Sequence, residues 1–253
     1  MQKEELETVF NGQAAKYDEQ WAKLSPIRDL LHFLVPWVFG DLPPNARILC
    51  VGVGTGAELA SLAQKFPDWK FTAVEPSGAM LDMCRTRAEA EGFASRCHFH
   101  QGYVDSLPIQ EPCDAATCFL VSQFILEPSA RSEFFRSIAT RLKPGGILVS
   151  SDLASDVASV PYQVLLDAWL RMMSYTGIPP EGLKKMQAAY AKDVAILPLS
   201  SISSIIEAGG FETPVPFFQA GLIHAWRSKV PSKLVSIGGT DTPQSSDRSM
   251  EEA

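Results

Sequence analysis

The stretch Ile48-Leu-Cys-Val-Gly-Val-Gly-Thr-Gly-Ala-Glu58 constrains this chain more than any other. An apolar run with no polar alternation reads as a strand buried on both faces. Three glycines close it, and helix-forming residues follow at once. Glycine has no Cβ, so backbone there approaches a ligand closely and tolerates positive φ. A ligand in such a loop also meets the free N–H groups and positive end of the helix. Glu75 ends the next apolar run, 19 residues after Gly56. An acid at that place accepts hydrogen bonds from ribose hydroxyls. A GxGxG alone is as often a tight turn, but here it lies between strand and helix with an acid behind it. An adenosine site is the reading that uses all of these features.

The rest of the chain repeats the same unit. Residues 5–38 read as helical, with a break near Ser25-Pro26. Apolar runs at 47–52, 70–75, 98–102, 115–119 and 146–151 alternate with helical stretches at 57–65, 78–91 and 129–142. That alternation predicts an α/β fold, a doubly wound and mostly parallel sheet. Residues 155–193 break the rhythm with two helices and no strand between them, so a helical cap is expected there. A helix at 199–208 ends at Gly209-Gly210. Two runs at 215–219 and 222–227, joined at Ala220-Gly221, predict a closing antiparallel hairpin, with Pro216 placing its first strand at an edge or bulge. One domain over 1–229 is expected, followed by a disordered tail from 230 to 253 that is rich in Ser, Thr, Asp and Gly.

Composition excludes several classes. The chain of 253 residues carries 22 basic and 29 acidic side chains, a net charge of −7, which argues against a nucleic-acid footprint. The run from Leu30 to Gly40 is interrupted by His32 and Pro36 and falls short of a membrane span. The start, Met1-Gln-Lys-Glu-Glu5, lacks the apolar segment of a secretion signal. Cys50, Cys84, Cys97, Cys113 and Cys118 form no CxxC pair and leave one over, as suits a reduced, cytoplasmic compartment. His98 and His100 have no acid at metal-ligand spacing, so no metal site is expected. The expected partner is a small-molecule substrate, with no direct nucleic-acid contact and no membrane; a homodimer is left open.

With these motifs in place, the chain resembles the class I S-adenosylmethionine (SAM) methyltransferases over roughly Phe10 to Lys229. The resemblance rests on the glycine loop, Glu75-Pro-Ser-Gly-Ala-Met80, Leu142-Lys-Pro-Gly-Gly-Ile147, and Ala208-Gly-Gly-Phe211. It implies a Rossmann-like sheet and SAM as cofactor. Gly52, Gly54 and Gly56 would line its methionine part. Glu75 with Pro76 would hold the ribose, and Met80 would pack on adenine, with ordinary core packing as the blander reading of Met80. Two departures stand out. Cys50 occupies the place where the family usually has an acid, and Tyr103 the place of the acid that often meets the adenine amino group. Adenine is then expected on the backbone of Tyr103 and Val104, with Asp105 as a substitute acid, and Phe119 beside the cofactor.

Methyl transfer from a sulfonium needs alignment, exclusion of water and, for some nucleophiles, removal of a proton. Asp152, ending the fifth strand, is a candidate base, with loop capping as the alternative. Phe10-Asn-Gly-Gln-Ala-Ala-Lys-Tyr17-Asp18 resembles a segment that closes over the cofactor in small-molecule methyltransferases, so Tyr17 is a second catalytic candidate. Trp21 shares its helix face. Trp21, Trp169, Met173 and Tyr190, with Met172, are candidates for an apolar acceptor pocket, and His224 for a substrate contact; all have core packing as the competing reading. Gln123-Phe-Ile-Leu-Glu-Pro-Ser-Ala-Arg131 resembles the carboxy-SAM synthases of tRNA wobble-uridine modification. Ile205, however, stands where that family carries a carboxylate-pairing arginine, so plain SAM is preferred. A NAD-dependent oxidoreductase fits the glycine spacing less well, and a SAM-binding subunit without catalysis is a third reading. The expected function is methyl transfer from SAM to a small, partly apolar acceptor.

Overall fold

The structure, a computed structural model, describes residues 3–232. Two helices precede the sheet: α1 (Lys3–Trp21) and α2 (Ser25–Phe39), separated by a 3-10 turn at Ala22–Leu24. The expected break falls there, with Pro26 in the first turn of α2, where its missing N–H costs nothing. The alternating part follows as β1 (Arg47–Val51), α3 (Ala57–Lys65), β2 (Lys70–Glu75), α4 (Gly78–Ala90), β3 (Cys97–Gln101), β4 (Cys113–Phe119), α5 (Pro128–Ala139) and β5 (Leu142–Leu153). The cap helices are α6 (Val160–Tyr175) and α7 (Pro180–Lys192). The chain returns through α8 (Leu199–Ala208) to β6 (Val215–Ala220) and β7 (Ile223–Lys229).

The seven strands lie in the order β3-β2-β1-β4-β5-β7-β6. All pairs from β3 to β5 are parallel, and β7 is antiparallel to both β5 and β6. The chain reverses direction across the sheet between β1 and β4, which opens a crevice at the carboxyl ends of those strands. Strand β1 shows why its sequence is continuously apolar. Ile48 and Cys50 face one core with Leu59, Leu62 and Leu81 from α3 and α4, while Leu49 and Val51 face a second core with Phe135, Ile138 and Ile206 from α5 and α8. Each such side chain contributes about 1.5–3 kcal/mol when fully buried.

Two boundaries differ from expectation. Strand β5 is longer than the run at 146–151, because Leu142 already pairs with Cys113 across a register shift. A turn-like Lys-Pro-Gly-Gly sequence hid those residues. The hairpin turns at Gly221 and Leu222, one residue later than expected, with φ of +57° at Gly221. The anticipated irregularity at Pro216 is present, as a register shift between Pro216 and Phe218 on the edge strand. The expected disordered tail lies, from residue 233 on, outside the described residues.

Candidate active site

The glycine loop opens at the carboxyl end of β1. Gly52, Gly54 and Gly56 have φ of +65°, +54° and +82°, a region closed to most side chains. Their reasons differ. A Cβ on Gly52 would overlap Val121, and one on Gly56 would strike the Cys84 sulfur, whereas one on Gly54 would meet nothing within 4 Å. Gly52 and Gly56 are therefore needed for packing, and Gly54 is the glycine that faces open space. Glu75 is buried at the end of β2 and accepts the N–H of Gly54 and of Ser77, each at 3.0 Å. Burial raises its pKa, and those two N–H donors pull it back. An acidic side chain built into the loop, with lone pairs to spare, fits the ribose end of a nucleoside. Pro76 and the Ser77 cap lead into α4, and Met80 is buried there yet belongs to neither core of the sheet.

Helix α1 lies across this edge. Asn11 Oδ1 accepts both the Ser77 hydroxyl at 2.7 Å and the Ala79 N–H at 3.2 Å, so it reinforces the N-terminal cap of α4. Asp18 accepts the Thr55 hydroxyl at 2.7 Å and is ion-paired with Arg87. Near the amino end, Tyr103 donates its hydroxyl to the Lys3 carbonyl, and Lys3 contacts Asp105 at 3.5 Å. Asp105 is thus engaged by α1, while Val104 is buried in the 3-10 turn that follows. Tyr17 sits among Glu75, Asp18 and Glu58; burial first, then those negative charges, push its pKa up to about 12. At neutral pH it is a hydroxyl donor. Trp21 packs edge-on against it, with ring centroids 6.3 Å apart.

Asp152 does not serve as an exposed base. It is fully buried, accepting the Ser122 hydroxyl at 2.7 Å and the Gln123 N–H at 2.9 Å, and it is ion-paired with buried Arg131 at 3.0 Å. Gln123 in turn accepts the Leu153 N–H through its side chain and the Ala195 N–H through its carbonyl. This network joins β4, β5, α5 and the chain leaving the cap, so Asp152 is an anchor. The loop-capping alternative describes it better.

The cap candidates are also placed by packing. Trp169 and Met173 are buried with Leu153, Leu166 and Leu222, and Trp169 donates its indole N–H to the Tyr190 hydroxyl at 2.8 Å. Met172 and Tyr190 are partly buried against the same group. A side chain on Gly221 would run into the Trp169 ring. His224 is buried on β7, with its Nδ1 3.2 Å from the Leu222 carbonyl, and burial lowers its pKa. Trp169, Met173 and His224 thus lie inside the fold, where core packing accounts for their contacts. Trp21 packs at the margin of the cap, with its indole nitrogen buried and without a hydrogen-bond partner.

Two groups emerge only from the structure. His32 on α2 stacks on Phe119 at the tip of β4, with ring centroids 6.2 Å apart, and burial lowers its pKa to about 4. It borders a cavity of about 630 Å3 that also touches Asp18, Phe33, Ala57, Ala60 and Arg87. Glu58, in the first turn of α3, is buried, and its pKa is raised to about 8 by that burial. The sequence signal for His32 was its place on an apolar helix face. For Glu58 it was an acid two residues behind the last glycine.

Fold and loop together define a Rossmann-like sheet with a glycine loop and a buried acid at its carboxyl edge. Residues 48–146 match the family model described as a methyltransferase domain. That segment holds the glycine loop, Glu75 and the turn into β5, and a methyltransferase domain of this kind uses SAM as its cofactor. The chain is 28% identical over 140 residues to the carboxy-S-adenosyl-L-methionine synthase of Campylobacter lari, covering 55% of this chain and 58% of that one. It is 25% identical over 149 residues to the ubiquinone/menaquinone biosynthesis C-methyltransferase UbiE of Geotalea daltonii, covering 58% and 62%. The chain therefore spans less than two thirds of the length of either relative. Among solved structures, the [4+2]-cyclase SpnF superposes with a TM-score of 0.57 at 17% identity, over 80% of this chain and 81% of that one. That likeness concerns the fold alone.

Proposed function

We propose that this protein transfers a methyl group from SAM to a small, partly apolar acceptor that enters between α2 and α3. The observation that carries the reading is the junction of Glu75 with Gly54, which builds a ribose-binding acid into a loop whose open glycine faces the ligand. SAM, when bound, supplies an electrophilic methyl group on a sulfonium. The remaining tasks fall to this chain. Glu75 and the loop hold the nucleoside and methionine ends, while Pro76, Met80, Tyr103 and Val104 surround adenine. Helix α1 covers the site and excludes water.

The cavity beside His32 supports the acceptor side. Its walls mix apolar Phe33, Pro36 and Ala60 with charged Arg28, Asp29 and Lys65. His32 is neutral at physiological pH because burial disfavours its charged form. A neutral imidazole at the tip of β4, stacked on Phe119, is suited to accept a hydrogen bond that orients an acceptor nucleophile, while the same burial makes it a weak base. Tyr17, held protonated, donates a hydrogen bond to hold an oxygen of the acceptor or of the cofactor.

Transfer from plain SAM is favoured over synthesis or use of a carboxylated SAM. Ile205 is buried in α8 against the sheet, and the buried Arg131 is already paired with Asp152. The test is to incubate the full chain with SAM and small-molecule extract fractions, following S-adenosylhomocysteine by mass spectrometry. A metabolite that gains a methyl group in step with S-adenosylhomocysteine supports the reading. Binding of SAM without turnover on any fraction supports a non-catalytic SAM-binding subunit instead.

A further inference from the structure

Glu58 is a buried acid that the roles above do not use. It is the second residue of α3, directly behind the glycine loop, where the free N–H groups of the helix start favour negative charge. Its carboxyl meets its own backbone N–H and, at 3.4 Å, the Thr117 hydroxyl on β4, both neutral donors. Every element packed around it adds charge or a thiol of the wrong kind. Glu75 faces it from β2 and Tyr17 from α1, while Cys50, Cys118 and Cys84 approach from β1, β4 and α4. Arg87 on α4 is the cation whose field reaches Glu58, and it is already paired with Asp18. Among the described residues, Glu58 forms no ion pair of its own.

A buried carboxyl without a cation is costly in its charged form and stays protonated. Such a group beside a ligand loop is poised for a cation that arrives with the ligand. SAM carries two positive charges, on its sulfonium and on its methionine ammonium, against one carboxylate, a net positive charge that the proposed site puts at the glycine-loop end. Cys50, whose thiol is itself held protonated by burial, cannot supply the counter-charge from β1. We propose that Glu58 is the counter-ion of the charged methionine end of SAM, and that it releases its proton to solvent as the cofactor binds. The inference rests on the loop being a SAM site. The step balances: one neutral carboxyl becomes a carboxylate, and one proton leaves for the buffer. A neutral group that must ionise on binding makes affinity rise with pH by linkage.

The experiment is calorimetric titration of the full chain near pH 7, in two buffers of different ionisation enthalpy, which counts protons. Two ligands are compared: SAM, and 5′-methylthioadenosine, which keeps the nucleoside but lacks the ammonium and the sulfonium charge. SAM is expected to release most of one proton, and 5′-methylthioadenosine close to none. Glu58→Gln keeps shape and hydrogen bonding to Thr117; it is expected to bind SAM about tenfold or more weakly, on the scale of a lost charged partner, without proton release. Its binding of 5′-methylthioadenosine should be unchanged, which also shows that the variant is folded. SAM binding without proton release by the unaltered protein overturns the proposal, as does undiminished release by Glu58→Gln. If neither ligand binds, the cofactor reading fails, and the proposal with it; if both bind and only the proton count fails, the cofactor reading stands and Glu58 alone is misassigned.

Discussion

The Asp18 carboxylate accepts the Thr55 hydroxyl at 2.7 Å, tying the last turn of α1 to the glycine loop. Its other oxygen meets Arg87 of α4. On helix α1 Ala14 is fully buried and Phe10, Tyr17 and Trp21 are partly so, so apolar packing is sparse and polar contacts of this kind help to set how it sits. Asp18→Ala is therefore expected to cost the whole domain less than about 1 kcal/mol, as for partly exposed ion pairs. Amide hydrogen exchange in residues 3–21 should accelerate while β1 and β4 stay protected. Uniform acceleration across the sheet would show that Asp18 supports the core rather than the cover.

The Arg131–Asp152 pair should behave in the opposite way. Both side chains are buried, and loss of one leaves the other charged and unpaired. Arg131→Met is expected to destabilise the fold by about 3–5 kcal/mol in denaturant unfolding. SAM affinity of the folded fraction should stay within a few-fold of the unaltered protein. A variant of normal stability that has lost only turnover, with a shifted pH–rate profile, would return Asp152 to the list of bases.

Trp169→Ala is a test of the cap. If Trp169 belongs to the cap core, the variant should lose about 3–5 kcal/mol of stability. Trp169→Phe should lose less, chiefly the hydrogen bond to Tyr190, about 1 kcal/mol. Acceptor and SAM affinities measured on the folded Phe variant should be unaltered. A selective loss of acceptor binding by that variant would contradict the placement of the acceptor between α2 and α3.

The sheet was legible because its strands are buried on both faces. Runs such as Arg47 to Val51 and Cys113 to Phe119 cannot satisfy any other architecture once glycine turns and helices separate them. The glycine loop and Glu75 were legible for the same reason, since backbone geometry demands those residue types at those places. Catalytic candidates were much less so. Asp152 ends a strand at the correct edge, but its direction depends on Arg131 and Ser122, which only the fold brings to it. Trp169 and Tyr190 share an apolar helix face whether that face meets a substrate or another helix. His32 carries no local motif; its meaning comes from Phe119, which lies far along the chain.

Two buried groups give the unliganded protein a pH signature. The folded pKa of Glu58 lies at about 8, above its ordinary value, so its folded state holds a proton the unfolded chain has lost. That stability is complete below about pH 4.5 and is lost as pH rises through 8. His32 has the opposite sign. Its folded pKa of about 4 lies below the ordinary 6.5, so stability falls as pH drops from 6.5 toward 4. Urea unfolding against pH should therefore show declining stability from about pH 6.5 to 8, a decline that Glu58→Gln flattens. Between about pH 4.5 and 6.5 the two slopes oppose each other, so His32→Phe should leave stability falling with pH across that range and Glu58→Gln should leave it rising. Variants that leave both limbs unchanged would show that the two groups are solvated.

The central claim is that Glu75 and the glycine loop form the SAM site, and calorimetric titration of SAM into the full chain and into Glu75→Ala tests it most directly. The unaltered protein should bind SAM, and the variant should lose about 1.5–3 kcal/mol, one to two orders of magnitude in affinity, as expected for hydrogen bonds to a charged acceptor. Its circular dichroism should match that of the unaltered protein. An equal SAM dissociation constant for a folded Glu75→Ala, or no binding by either protein, would contradict the account.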